Sequence, residues 1–296
     1  MSVPSYDIIT DSTANLPDEL IRSWGLRVLS LEFIVDNVSF KGYDPNIPTD
    51  NKQFYDMMRN GKTVKTTLAS VTDAEALLRD CFESGQDALY LGFDSALSAN
   101  YEVNSAFMEQ IRAEFYPEKK LLCVDTLAAA LGEGLIVAEA VRLREAGMGL
   151  AELADWVLAN RLSIASWFTV DDLKYLQQGG RLTAGAAFAG TLLNIKPVLH
   201  VDTEGRLIPR EKLRGRRRSL QFLADKLAAK IRQPSAGSPV FISHADCLDD
   251  CELLMGLIRA SNPDVRFVIN NLDPVVGAHA GPGTVALFFL TDQGRE

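Results

Sequence analysis

Four strand-like apolar runs each end in small hydroxyl or acidic residues: Asp11-Ser12-Thr13, Thr66-Thr67, Asp94-Ser95 with Ser98, and Asp125-Thr126. In an open α/β sheet the carboxyl ends of the strands share one edge, and ligands settle in the crevice beside it. Neutral hydroxyls in that crevice suit a ligand that is held by directional hydrogen bonds and not attacked. Of the histidines, His200, His244 and His279, only His279 adjoins a Gly/Pro run, Ala280-Gly281-Pro282-Gly283-Thr284. A turn of that kind is expected to fix the ring, so His279 is the titratable group expected in the crevice.

The same residues admit a second chemistry. Ser98, His279 and an acid such as Asp94 or Asp246 would compose a Ser/His hydrolase acting on an acyl ester. Ser98 lacks the flanking glycines of a nucleophile elbow, which argues against it. A third reading is a binder of another small amphipathic ligand in a Rossmann-like crevice. A dinucleotide is disfavoured, because Asp11-Ser12-Thr13-Ala14 stands where Gly-x-Gly-x-x-Gly would follow the first strand.

Three further segments carry signals. Gly179-Gly180-Arg181 reads as a helix ended by glycine with a cation just beyond. Residues 182–194, rich in Gly, Ala, Phe and Leu, read as a packed core helix or as the wall of an elongated apolar cavity. Arg206, Arg210, Lys212, Arg214, Arg216, Arg217 and Arg218 form a basic run in which Glu211 is the only acid. On an acidic body such a patch is either a solvated face or a surface that steers a partner. It carries no aromatic residues for base stacking, so nucleic acid is not expected. Cys81, Cys123, Cys247 and Cys251 are scattered, which reads as reduced thiols; Cys247, Cys251 and His244 lack the further soft ligands a metal would need.

Positioning such a site requires alternating elements. Strands are expected over 6–10, 27–35, 88–93 and 121–124, with helices over 16–24, 49–58, 72–82, from 99 to before Pro117, 128–146 and 150–160. Asn15 is expected to cap the first helix, and Thr72 with Glu75 to form a capping box. The alternation predicts a parallel sheet covered on both faces. Beyond residue 160 the pattern changes: strands over 195–201 and 206–211 around a hairpin turn at 202–205, a helix over 219–231, a strand over 240–243, a helix over 249–259, then strands over 265–270 and 284–290. The fold class is therefore α/β with two domains, a Rossmann-like parallel-sheet domain over 1–160 and a second α/β domain with a mixed sheet over 161–296, the ligand lying between them.

With 296 residues and 47% hydrophobic content, the chain can bury two cores. Its formal net charge of -9 argues against a general nucleic-acid or membrane-surface binder. No apolar run approaches the ~18 residues of a membrane span, and Met1 to Tyr6 shows no basic leader. A cytoplasmic protein without integral membrane association is expected.

Several segments together resemble the DegV family of bacterial lipid-binding proteins. They are Asp7-Ile8-Ile9-Thr10-Asp11-Ser12-Thr13 with Leu16-Pro17, Lys65-Thr66-Thr67-Leu68-Ala69-Ser70, Ser95-Ala96-Leu97-Ser98-Ala99-Asn100-Tyr101, Tyr175-Leu176 through Gly179-Gly180-Arg181, and His279 through Gly283. They span the chain and follow the family's order. The resemblance implies a Rossmann-like domain joined to a second α/β domain, with one fatty acid between them. It implies that Thr66, Ser98 and His279 contact the carboxyl group, with Arg181 as a further head-group contact. It also implies a non-catalytic subunit that presents the bound acid to a partner kinase for acyl-phosphate formation, with Arg214, Arg216 and Arg217 as the docking surface. No cofactor and no metal are expected. The sequence departs from the family where Leu68 and Ala69 replace Gln and Pro, and where Ala96, Ala99 and Asn100 replace two glycines and a threonine.

The physics agrees with that picture. Burying about fourteen methylenes offers roughly 11 kcal/mol before ordering costs. A bare carboxylate is costly to bury, so the head group needs directed donors, which hydroxyls and an imidazole can supply. No phosphate-binding Gly-x-x-x-x-Gly-Lys-Ser/Thr loop is present, so phosphorylation would depend on the partner.

Overall fold

The computed structural model describes residues 6–182, 194–232 and 239–295. The first half runs β1 (Tyr6–Asp11), α1 (Asp18–Ser23), β2 (Arg27–Leu29), β3 (Glu32–Val35), β4 (Val38–Lys41), α2 (Asn51–Arg59), β5 (Lys65–Thr67), α3 (Val71–Glu83), β6 (Asp87–Gly92), α4 (Asn100–Phe115), β7 (Leu121–Asp125), α5 (Leu131–Glu145) and α6 (Leu150–Asn160). The second half runs β8 (Ile164–Thr169), α7 (Lys174–Gln178), β9 (Ile195–Val201), β10 (Leu207–Arg214), α8 (Arg216–Lys230), β11 (Val240–His244), α9 (Leu248–Ser261), β12 (Phe267–Asn271), α10 (Pro274–Ala280) and β13 (Val285–Leu290).

The expected parallel sheet is present, with strand order β2-β1-β6-β7 and every pairing parallel. Its central strands are buried along nearly their whole length, as strands covered by helices on both faces are. The second sheet is mixed, in the order β10-β9-β8-β13-β11-β12, and only β11 and β12 run parallel. Strand β8, six buried residues in the middle of this sheet, falls in a stretch for which the sequence reading predicted no element.

The strand expected over 27–35 is broken in two. After Leu29 the chain leaves the parallel sheet, and β3 joins β4 and β5 in a small antiparallel sheet ordered β4-β3-β5. Hydroxyls hold the break: Leu31 N donates to Ser12 Oγ at 3.0 Å and Tyr43 N to Ser30 Oγ at 3.0 Å. This small sheet places Thr66 opposite Phe33.

Two expected caps lie elsewhere. Asn15 closes a short 3-10 turn in the left-handed conformation (φ 54°), which asparagine tolerates, and α1 starts only after Pro17. Helix α3 is capped by Ser70, whose hydroxyl accepts from Thr72 N at 3.2 Å; Thr72 is already inside the helix.

One hydrophobic core runs through both halves, and α5 is its hinge piece. This helix packs on β8, β11 and β13 while its start contacts the turn after β1. Its glycines permit both approaches: a Cβ at Gly132 would meet the Phe288 ring at 2.8 Å, and one at Gly134 would meet the Ala14 carbonyl at 2.7 Å. A second core fills the space between the other face of the mixed sheet and α8 and α9, around Trp167, Leu223, Leu254 and Phe289.

Candidate functional site

A cavity of about 130 Å³ opens between the halves. Its walls are apolar, including Leu31, Phe93, Phe168, Val201, Leu207 and Phe288, and its polar groups include Thr66, Ser98, Arg181 and His279. The head-group residues expected from sequence thus meet at one cavity. A cavity of ~150 Å³ takes one benzene. A long tail therefore has to spread these walls or run beyond the described lining. Residues 183–193, most of the small-residue stretch expected as a cavity wall, lie outside the described residues.

His279 lies in the last turn of α10, not in a Gly/Pro turn as expected. Helix α10 begins at Pro274 after Asp273, which accepts from Val276 N at 2.7 Å, and ends at Gly281 with φ 83°. The ring Nε2 and Thr66 Oγ1 are 2.8 Å apart. Burial, reinforced by the Arg181 charge, pushes the imidazole down to about 4, so it is neutral at pH 7. The ring's other nitrogen, Nδ1, abuts Gly179, where a Cβ would come within 2.3 Å. Gly179 was expected as a helix cap only; its role as the floor beneath His279 had no sequence signal.

Arg181 follows that glycine pair. Its guanidinium donates to the carbonyls of Leu97, at 3.1 Å, and Gly179. No carboxylate pairs with it among the described residues. It is a half-buried cation that lines the cavity without a counter-ion. Ser98 precedes α4, and its Oγ accepts from Asn100 N at 3.2 Å. The backbone leading into α5 is strained at the cavity: Ala130, one of its lining residues, has φ 53° and ψ -146°.

Of the hydroxyl and acidic strand ends, only two supply cavity residues. Asp11 turns inward and accepts from Phe93 N at 2.9 Å and Asn100 Nδ2 at 3.2 Å. Thr10 and Thr13 donate to the buried Glu133 at 2.9 and 3.0 Å. Burial raises the pKa of both acids, Glu133 well above the usual carboxylate range. Asn100 also accepts from Ala69 N at 3.0 Å, so it ties the strand that carries Thr66 to β1. Ser95 and Asp125 bind each other at 2.6 Å. These are scaffolding networks, and neither Glu133 nor Asn100 was expected from sequence.

Asp94 is fully buried beside the hairpin at 202–205, where a Cβ on Gly205 would meet its Oδ1 at 2.2 Å. Burial pushes its carboxyl up to about 7, with Asp125 adding to the effect. The folded state therefore holds a proton that the unfolded state, at about 4, has released. That stability is present below about pH 4 and is lost as pH rises through 7. Asp94→Asn should gain on the wild type by about 2–3 kcal/mol between pH 5 and pH 8. Urea unfolding of both proteins at the two pH values measures it, and a constant difference would refute the assignment.

The basic run is not evenly exposed. Arg214 and Arg217 are exposed, but Arg216 is held inside the fold. Its Nε donates to Asp250 at 2.9 Å and its NH2 to the Gly283 carbonyl, so it fastens the loop after His279. Of the three arginines expected as a docking surface, Arg214 and Arg217 are thus exposed, and Arg216 is tied to the fold by its own contacts.

A family model described as "Uncharacterised protein, DegV family" matches residues 5–292. A DegV domain-containing protein from Clostridium perfringens is 36% identical over 97% of this chain and 98% of its own length. Among solved structures, a DegV family protein from Thermus thermophilus, described as fatty-acid binding, is similar with a TM-score of 0.85 and 26% identity, covering 97% of this chain and 99% of that one. A fatty-acid-binding DegV family protein from Streptococcus agalactiae is similar with a TM-score of 0.82 and 25% identity, covering 98% and 99%.

Proposed function

This chain belongs to the DegV family, and from that premise we propose that it binds a long-chain fatty acid, with the tail among the apolar walls and the carboxyl group at Thr66, Ser98 and His279. Solved relatives described as fatty-acid binding support the ligand class. The observation that carries the reading is the Thr66–His279 pair in the lining of an otherwise apolar cavity, which Arg181, without a carboxylate partner among the described residues, also lines. A neutral imidazole and two hydroxyls offer hydrogen bonds, and Arg181 offers the charge that a buried carboxylate requires.

The protein itself leaves the acid intact and presents it to a partner kinase, which forms the acyl phosphate. Among the described residues no hydrogen bond joins Ser98 to His279, whose Nε2 meets Thr66 instead, so the hydrolase reading has no base–nucleophile pair to rest on.

The test compares palmitate with its methyl ester on delipidated protein by calorimetry. The acid should bind at least 10-fold more tightly than the ester, and the combined Thr66→Val and Ser98→Ala variant should lose that preference. Equal affinity for acid and ester would remove the head-group site. Absence of any fatty acid by native mass spectrometry, with no binding on titration, would remove the ligand class.

A further inference from the structure

Asn100, the fully buried first residue of α4, is where two of the head-group segments meet. Its backbone N–H donates to Ser98 Oγ at 3.2 Å, and its Oδ1 accepts from Ala69 N, three residues beyond Thr66, at 3.0 Å. A serine hydroxyl that accepts one bond still has its own proton to give. One residue thus grips both Ser98 and the strand end that carries Thr66.

The amide is used on every side. Oδ1 also accepts from Asn104 Nδ2 at 3.0 Å, while Nδ2 faces Asp11 Oδ2 at 3.2 Å and the Tyr90 hydroxyl at 3.3 Å. Two N–H donors on one side and two oxygens on the other fix which way it points. Through Asp11 the same group reaches the backbone of Phe93, a cavity wall.

Both partners of the 3.0 Å contact are positions at which the chain departs from its family: Ala69 stands for a proline, which has no N–H, and Asn100 for a threonine. A proline ring fixes φ, whereas alanine leaves the segment freer. We infer that the Ala69–Asn100 hydrogen bond does in this chain what a proline ring would do, holding Thr66 in place relative to Ser98, so that Asn100 is a positioning residue for the head group. The inference depends on the proposed fatty-acid site. A threonine side chain is too short to span Ala69 N and Asp11 together, and a proline ring carbon would stand where the Ala69 hydrogen points at Oδ1. Either change alone breaks the contact, and the two together replace it.

Calorimetry tests this with palmitate and its methyl ester. Asn100→Thr should weaken palmitate about 10-fold and leave the ester nearly unchanged, because only the acid uses the head-group donors. Ala69→Pro alone should also weaken palmitate. The double variant Ala69→Pro/Asn100→Thr should return to within about 3-fold of the wild type, a rescue that a general loss of packing would not give. Should Asn100→Thr fail to fold, recovery of the fold by circular dichroism in the double variant, with its palmitate affinity, reads the same rescue. Equal palmitate affinity in the wild type and Asn100→Thr, or a double variant that is unfolded or as weak as the single ones, overturns the cross-link and leaves the fatty-acid reading standing. A wild type that takes no palmitate removes that reading and the positioning role with it.

Discussion

Alanine at Gly179 is expected to weaken fatty-acid binding by about 10- to 100-fold while leaving the fold intact. The new methyl carbon would stand 2.3 Å from His279 Nδ1, far inside van der Waals contact. The atom it strikes belongs to a side chain that can rotate, so the ring yields before the backbone does. Once turned, the ring loses its 2.8 Å contact with Thr66 Oγ1, and the head group loses a donor held in place for it. A hydrogen bond to a charged group contributes about 1.5–3 kcal/mol, which sets the range. Gly149→Ala is the matched control, because a Cβ there meets nothing within 4 Å. Calorimetry with palmitate should separate the two variants, and circular dichroism should not. Equal affinities would show that the ring's position does not matter to the ligand.

How much of this was legible in the sequence depended on where the determining contacts lie. Strands β6 and β13 carry short apolar runs, Ala88 to Leu91 and Val285 to Leu290, and their length and polar flanks locate them. Strand β8 carries a similar signal in Ile164, Ala165, Trp167 and Phe168, but Ser163, Ser166 and Thr169 break it into pieces too short to stand out. Strands β4 and β5 are short and largely exposed, so they leave no hydrophobic pattern to read. Helix α10 was hidden by glycines that look like turn residues. Gly277 is there for packing, since a Cβ would meet the Tyr55 hydroxyl at 2.2 Å.

The site was legible as a set of residue types and illegible as geometry. Thr66, Ser98, Arg181 and His279 arrive from four separate segments, and only the packing of the two halves brings them to one cavity. Likewise, nothing in Asp11-Ser12-Thr13 distinguishes a hydroxyl cluster that faces a ligand from one that faces a buried glutamate 120 residues on, as Thr13 does. Charge runs fail for the same reason: adjacent arginines look alike in sequence, and the fold decides which is buried.

Arg216→Ala should therefore lower the unfolding free energy by about 2 kcal/mol, between the costs of breaking an exposed pair and a fully buried one. Both partners are shielded, with side-chain exposures of 17% for Arg216 and 29% for Asp250, so the abandoned carboxylate is poorly hydrated. The loss also frees the Gly283 carbonyl, and with it the segment joining His279 to Thr284, another cavity residue. Ligand affinity should fall along with stability. Arg214→Glu and Arg217→Glu, on exposed side chains, should leave both unchanged and reduce only phosphorylation by the proposed partner kinase. Urea unfolding, palmitate titration and a kinase-coupled assay on the same variants give the pattern. If Arg216→Ala kept full stability and palmitate affinity while losing phosphorylation alone, Arg216 would belong to the docking surface after all. If the two glutamate variants were phosphorylated normally, the basic run would be a solvated face and the kinase would have to meet the protein elsewhere.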